Sequence, residues 1–121
     1  MGAEYSACVD LEVLDEKAFL LLSRQALAHC VPHLKSEWDG METIDDVAGF
    51  ILAKNEQPID FTVERYDGGA VFHNCFKATY SWLPFMEEWF ETVASSLGNN
   101  SALLVDGDGH SEKYVKDGAV E

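Results

Sequence analysis

Few groups of side chains in this sequence have both the types and the spacing to do chemistry. His73 and Cys75 stand two apart, so on a strand both project to one face, as a thiol and the base that activates it would. Such a nucleophile also needs an oxyanion donor and a group that orients the imidazole, and no motif marks either. His29 and His33 stand four apart with Cys30 between them, the ligand types of a zinc site. Pro32 breaks the helix that would bring both rings to one side, and no second pair stands at zinc-site spacing. Asp106-Gly107-Asp108-Gly109 alternates carboxylate and glycine in the manner of a calcium loop, but the sixth position is Ser111 rather than Gly and the twelfth is Asp117 rather than Glu. A glycine-rich hairpin turn is expected there instead. There is no phosphate-binding glycine loop, dinucleotide fingerprint or nucleophile elbow. The expectation is a protein without metal or cofactor that is not an enzyme.

Carboxylates are the chemistry that remains. The chain carries 22 Asp and Glu against 8 Lys and Arg, a formal net charge of -14 on 121 residues. Solubility needs far less, and the excess costs stability through self-repulsion, so a cationic partner is expected. The acid is densest from Glu37 to Glu64, where Glu37, Asp39, Glu42, Asp45, Asp46, Glu56, Asp60 and Glu64 meet only Lys54. Trp38 lies inside this run, between Glu37 and Asp39, where an aromatic serves as an anchor for a partner or a lid over the core. This segment is the expected partner-binding surface. Glu87, Glu88 and Glu91, on the outer side of a later helix, are the alternative. Carboxylates two apart on a strand lie roughly 6.5 to 7 Å apart, and those four apart on a helix roughly 5 to 6 Å, spacings close to those of successive phosphates on a nucleic-acid strand.

The elements that must carry these residues are legible from periodicity. Tyr5, Ala7, Val9, Leu11 and Val13 alternate with Ser6, Cys8, Asp10 and Glu12 in a half-buried strand. Asp15 caps a helix, with Leu14 and Phe19 at hydrophobic-staple spacing and an apolar stripe through Ala18, Leu21, Leu22, Gln25, Ala26 and His29, until Pro32 ends it. A polar stretch from His33 to Met41 leads to a short helix, with Thr43 and Asp46 at capping-box spacing and Ile44, Val47 and Ile51 on one side; Asn55 to Pro58 is its exit loop. Ile59 to Glu64 and Val71 to Tyr80 form a hairpin about Asp67-Gly68-Gly69. A third helix runs from Ser81 to about Leu97, with Leu83, Met86, Phe90, Val93 and Leu97 inward; Trp38, Trp82, Trp89 and Phe85 outline an aromatic patch from which Trp89 is expected in the core. Ala102 to Val105 and Glu112 to Lys116 close the chain as a hairpin. The order β-α-α-β-β-α-β-β predicts one α+β domain over residues 1–121, a mixed or antiparallel sheet with helices packed on one face, as a ferredoxin-like variant.

No apolar run approaches the about 18 to 20 residues of a membrane span, and Met1-Gly2-Ala3-Glu4-Tyr5 lacks the basic and apolar regions of a signal peptide. The expected location is the cytoplasm. Cys8, Cys30 and Cys75 are odd in number and widely spaced, and read as reduced, mostly buried thiols.

The opening from Tyr5 through Cys8, Asp10, Glu12, Asp15 and Lys17 to Phe19 resembles the start of small proteins carried on conjugative and integrated bacterial elements. Size, acidity and α+β character are similar to anti-CRISPR and anti-restriction inhibitors from such elements. The resemblance implies a phage or mobile-element inhibitor that mimics DNA, occupying the basic nucleic-acid-binding surface of a defence complex by protein–protein contact, without touching nucleic acid or membrane. The alternative is an immunity-type protein that neutralises a toxin, and a small enzyme of unknown type is the distant third.

Overall fold

The computed structural model describes residues 4–47, 49, 60–79, 83–107 and 110–121. Strand β1 (Glu4–Val13) leads into helix α1 (Glu16–Cys30), a 3-10 turn at Pro32–Leu34, and two single-turn helices, α2 (Lys35–Trp38) and α3 (Ile44–Val47). The hairpin β2 (Asp60–Tyr66) and β3 (Gly69–Thr79) precedes α4 (Leu83–Val93), which tightens into a 3-10 turn at Ala94–Ser96. Strands β4 (Ala102–Asp106), β5 (His110–Lys116) and β6 (Ala119–Val120) follow.

The sheet is antiparallel throughout, in the order β2-β3-β1-β4-β5-β6. Its first four strands with α1 and α4 make the split β-α-β arrangement expected from the element order, and β5 and β6 extend it at one edge. Strand alternation decides what faces what. Ala7, Val9, Leu11 and Val13 of β1 are buried, as are Phe72 of β3 and Leu103 and Val105 of β4. Helices α1 and α4 and the short α2 and α3 cover this face through Phe19, Leu27, Trp38, Ile44, Met86 and Trp89, all in the same core cluster. Ser6, Cys8, Asp10 and Glu12 necessarily look out of the other face.

Local chemistry accounts for the element ends. Asp15 caps α1, its Oδ1 accepting from the Ala18 N–H at 3.2 Å. The β2–β3 turn is Asp67–Gly68, with Gly68 at φ +77°, and Gly69 must be glycine because a Cβ there would lie 2.3 Å from the Val13 carbonyl. Asp117–Gly118 repeats that two-residue turn with both residues at positive φ, creating β6, a strand not expected from the sequence. Thr43 and Asp46 form the reciprocal capping box: Thr43 Oγ1 accepts from the Asp46 N–H, and Asp46 Oδ2 accepts from the N–H groups of Thr43 and Glu42. These bonds hold the Asp46 carboxyl below the usual carboxylate range, the Glu42 N–H contributing most.

Several local expectations are corrected. Leu14 is 56% exposed, so it does not staple to the buried Phe19. The buried stripe of α1 is Phe19, Ser23, Ala26 and Leu27, with Leu21 59% exposed, because α1 turns toward α4, where Trp89 Nε1 donates to Ser23 Oγ at 3.1 Å. A serine thus sits on the core face, satisfying a buried indole N–H. The stretch from His33 to Met41 is folded into the 3-10 turn and α2, and Arg24 of α1 donates to the Met41 carbonyl. Ile51, Asn55 to Pro58, Ser81, Trp82, Asp108 and Gly109, on which other expectations fell, lie outside the described residues.

The capping box makes a checkable statement. Thr43→Ala removes the side-chain acceptor and lowers stability by about 1 kcal/mol in denaturant unfolding. Because the folded Asp46 carboxyl is depressed, its contribution is present above the unfolded value near about 4 and disappears as pH falls through the folded value. The difference between wild type and Asp46→Asn therefore narrows on acidification; a constant difference would contradict the assignment.

Candidate functional site

The acidic segment divides into parts that the fold treats differently. Glu37 projects from α2, and Asp45 and Asp46 from α3; together with Ser36, Gly40 and Met41 they line an open concavity of about 480 Å³. Glu42 lies on the adjoining groove with Asp15, Glu16, Lys17 and Arg65. Asp39 pairs with Lys35 at 2.9 Å, which lowers its carboxyl below the ordinary value through that hydrogen bond and charge. Arg65 of β2 clasps two elements at once, meeting Asp45 at 2.7 Å and Glu16 at 3.1 Å, while Glu16 also accepts from the Ile44 N–H. The same contacts raise Arg65 further, Asp45 first and Glu16 second.

Other residues of the segment are not on this surface. Trp38 is only 5% exposed and its Nε1 donates to the Val31 carbonyl at 3.2 Å. It is a lid over the core and not an anchor for a partner, since the turn of α2 swings its ring inward; Lys35 Nζ lies over the ring, 5.8 Å from its centroid. With Phe85 and Trp89 also buried, the described members of the expected aromatic patch belong to the core. Glu64 neighbours Arg65 on β2 and therefore takes the opposite face of the sheet, away from α2 and α3. Asp60 is the register partner of Cys75, and Glu56 lies outside the described residues.

The alternative acids on α4 are engaged within the molecule. Glu91 and Glu87 approach Lys113 of β5 at 3.2 and 3.8 Å. Glu88 accepts from the Cys30 thiol and meets His29 Nδ1 at 3.1 Å. Burial first, then the Glu88 hydrogen bond and charge, push the Cys30 thiol up to about 12, and the same thiol, followed by His29, lowers Glu88. Ligand atoms of His29, Cys30 and Glu88 lie within 4.8 Å of one another, the atom types that suit zinc. Pro32 does separate His33 from this group, as expected; the third potential ligand comes from α4, which the spacing within α1 could not disclose.

The open sheet face holds an arrangement that was only half legible. Cys8 stands directly opposite Cys75, and Asp10 directly opposite His73. Cys8 and Cys75 are joined in a disulfide, with Cα atoms 4.1 Å apart, which corrects the expectation of three reduced thiols to one free thiol, Cys30, among the described residues. His73 Nε2 lies 3.3 Å from Cys75 Sγ, and its Nδ1 meets Asp10 Oδ1. The orienting group that His73 and Cys75 lacked in the sequence is therefore Asp10. The signal was a matched spacing: Cys8 and Asp10 are two apart on β1, Cys75 and His73 two apart on β3, so one antiparallel register brings both pairs together.

No protein-family model matches the chain, and neither does any curated protein or solved structure. No helix among the described residues is long and apolar enough to cross a membrane.

The raised Cys30 thiol predicts slow alkylation. At pH 8 iodoacetamide should modify Cys30 in the folded protein at least about tenfold more slowly than free cysteine, whose thiol ionises near about 8.5. Glu88→Gln should accelerate the reaction severalfold, while residual burial keeps it below the free rate. Equal rates for the folded wild type and free cysteine would refute the Cys30–Glu88 contact.

Proposed function

We propose that this chain acts by binding, as an acidic inhibitor that docks on the basic, nucleic-acid-binding surface of a bacterial defence complex and excludes nucleic acid from it. One observation carries the reading: Glu37, Asp45 and Asp46 converge on a single concavity, with Glu42 on the groove beside it, in a protein with a formal net charge of -14. Such a concavity receives the head of an arginine or lysine side chain and surrounds it with carboxylates. The structural duties of Asp45 and Asp46 also hold the rim in place, through Arg65 and through the capping box. A carboxylate already fixed before the partner arrives loses little further entropy on binding.

The charge gives the partner its long-range attraction, so association is fast at low salt and falls as salt screens it. The α2–α3 surface is favoured over α4 because Glu37, Asp45 and Asp46 line one concavity together.

The test is co-purification of the tagged protein with a nucleic-acid-binding effector from a lysate containing CRISPR or restriction complexes, followed by competition against that effector's nucleic acid. Raising salt from about 50 to about 500 mM should weaken binding by more than about tenfold. Glu37→Lys, Asp39→Lys and Glu42→Lys combined should weaken it by a further tenfold or so at low salt, with the melting temperature little changed, since exposed substitutions shift stability by about 0.5 kcal/mol or less. Unchanged competition in this variant, with loss in Glu87→Lys and Glu91→Lys, would transfer the surface to α4; affinity indifferent to salt would contradict the electrostatic reading altogether.

A further inference from the structure

We infer that Cys8 and Cys75 form a redox-active disulfide that exchanges with a protein dithiol, with His73 managing charge and proton on Cys75 and Asp10 positioning His73. The inference is independent of the acidic-surface reading, since it uses the opposite face of the sheet. It rests on a juxtaposition of side chains from two strands: disulfide sulfurs at Cys8 and Cys75, an imidazole nitrogen 3.3 Å from the sulfur of Cys75, and a carboxylate on the far nitrogen of that imidazole. A purely structural cross-link requires the two cysteines alone. The third and fourth groups are those that activate a sulfur.

The asymmetry fixes the direction of attack. Asp10 accepts from His73 Nδ1, which turns Nε2 toward Cys75. Cys75 is then the better leaving group, because the imidazole beside its sulfur is placed to stabilise the departing thiolate. A partner thiolate attacks Cys8 Sγ; a bond forms between the two, the Cys8–Cys75 bond breaks, and its electron pair departs on Cys75. His73 Nε2–H holds that thiolate as an ion pair or gives it the proton. The partner's second thiolate then attacks the partner sulfur of the mixed disulfide, closing a partner disulfide and releasing Cys8, which takes a proton from solvent. The partner dithiol loses two electrons and two protons, and the Cys8 and Cys75 pair gains them, so the dithiol is the only co-reactant needed.

Access and surroundings suit the step. Both cysteines are half-buried, the His73 and Asp10 side chains are 34% and 42% exposed, and Asp10 and His73 line a groove of about 410 Å³ with Glu12, Val71 and Asn100. Among the described side chains the neighbouring ionisable groups are Glu12 on β1, Glu64 on β2 in register with Val71, Asp106 on β4 in register with Ser6, and Glu112 on β5 beyond Leu104 of β4. Carboxylates outnumber cations in this set and oppose a thiolate, so the effect of His73 is read against that background. Cys30 plays no part: it belongs to the helical layer and its thiol is suppressed by burial and then by Glu88.

The experiment uses the full chain with Cys30→Ser throughout. Opening of the Cys8–Cys75 disulfide by dithiothreitol is followed at pH 7 with and without His73→Gln, and Cys75 alkylation by iodoacetamide is followed against pH in a Cys8→Ser background. Removal of His73 should slow opening by about tenfold and move the alkylation midpoint upward by about one unit, with Asp10→Asn giving a smaller change in the same direction; circular dichroism checks that each variant is folded. Should Cys8→Ser fail to fold, the opening rate alone decides. Opening rates that do not respond to His73→Gln, or that match oxidised glutathione when His73 and Asp10 are intact, would overturn the inference and leave the bond a structural cross-link.

Discussion

Everything in this fold depends on the register of β1 between β3 and β4. The strand is two-sided: its odd-numbered residues Ala7, Val9, Leu11 and Val13 supply the centre of the core, and its even-numbered Cys8, Asp10 and Glu12 supply the open face. A slip by one residue would exchange these sets, placing two carboxylates against Phe19 and Trp89 and four apolar side chains in water. Neighbouring features repeat the same constraint at its end. Gly69 leaves room for the Val13 carbonyl, the Gly98 N–H donates to the Glu12 carbonyl at 2.7 Å, and the Glu12 N–H donates to the buried Ser101 Oγ at 2.9 Å. These contacts come from β3 and from the turn before β4, so both neighbours fix one register.

The acidity is accommodated by placing scarce cations where elements meet. Arg65 joins β2 to α1 and α3 through Asp45 and Glu16, and Lys113 joins β5 to α4 through Glu87 and Glu91. Exposed pairs of this kind contribute little individually, on the order of 0 to 1 kcal/mol, but they relieve repulsion between carboxylates that packing brings together. Main-chain N–H groups do similar service at Asp15 and Asp46. What remains is directed outward, and it is this remainder that a basic partner would meet.

Much of this was written locally. The alternation of β1, the cap at Asp15, the Asp67–Gly68 turn, the Thr43–Asp46 box, the inward Met86, Phe90 and Val93 of α4 and the buried Leu97 beyond it all follow from spacing over a few residues. What was misread depends on partners distant in sequence. Leu21 looks like a core residue until the position of α4 assigns Ser23 to the interior, and Trp38 looks like an anchor until the turn of α2 carries it over Val31. The site on the open face needed a register across 67 residues of sequence, and neither of its halves is distinctive alone. The divided acidic segment has the same cause, because one strand sends Glu64 and Arg65 to opposite faces.

The register of β1 against β3 is tested most directly by mapping the disulfide. Free thiols are blocked in the native protein, which is then digested with trypsin without reduction and analysed by mass spectrometry. The account predicts that the peptide of residues 1–17, which holds Cys8, is linked to the peptide of residues 66–77, which holds Cys75, while the peptide of residues 25–35 carries a blocked Cys30. A bond from Cys30 to either of the others, or three blocked cysteines in protein purified without reductant, would contradict it.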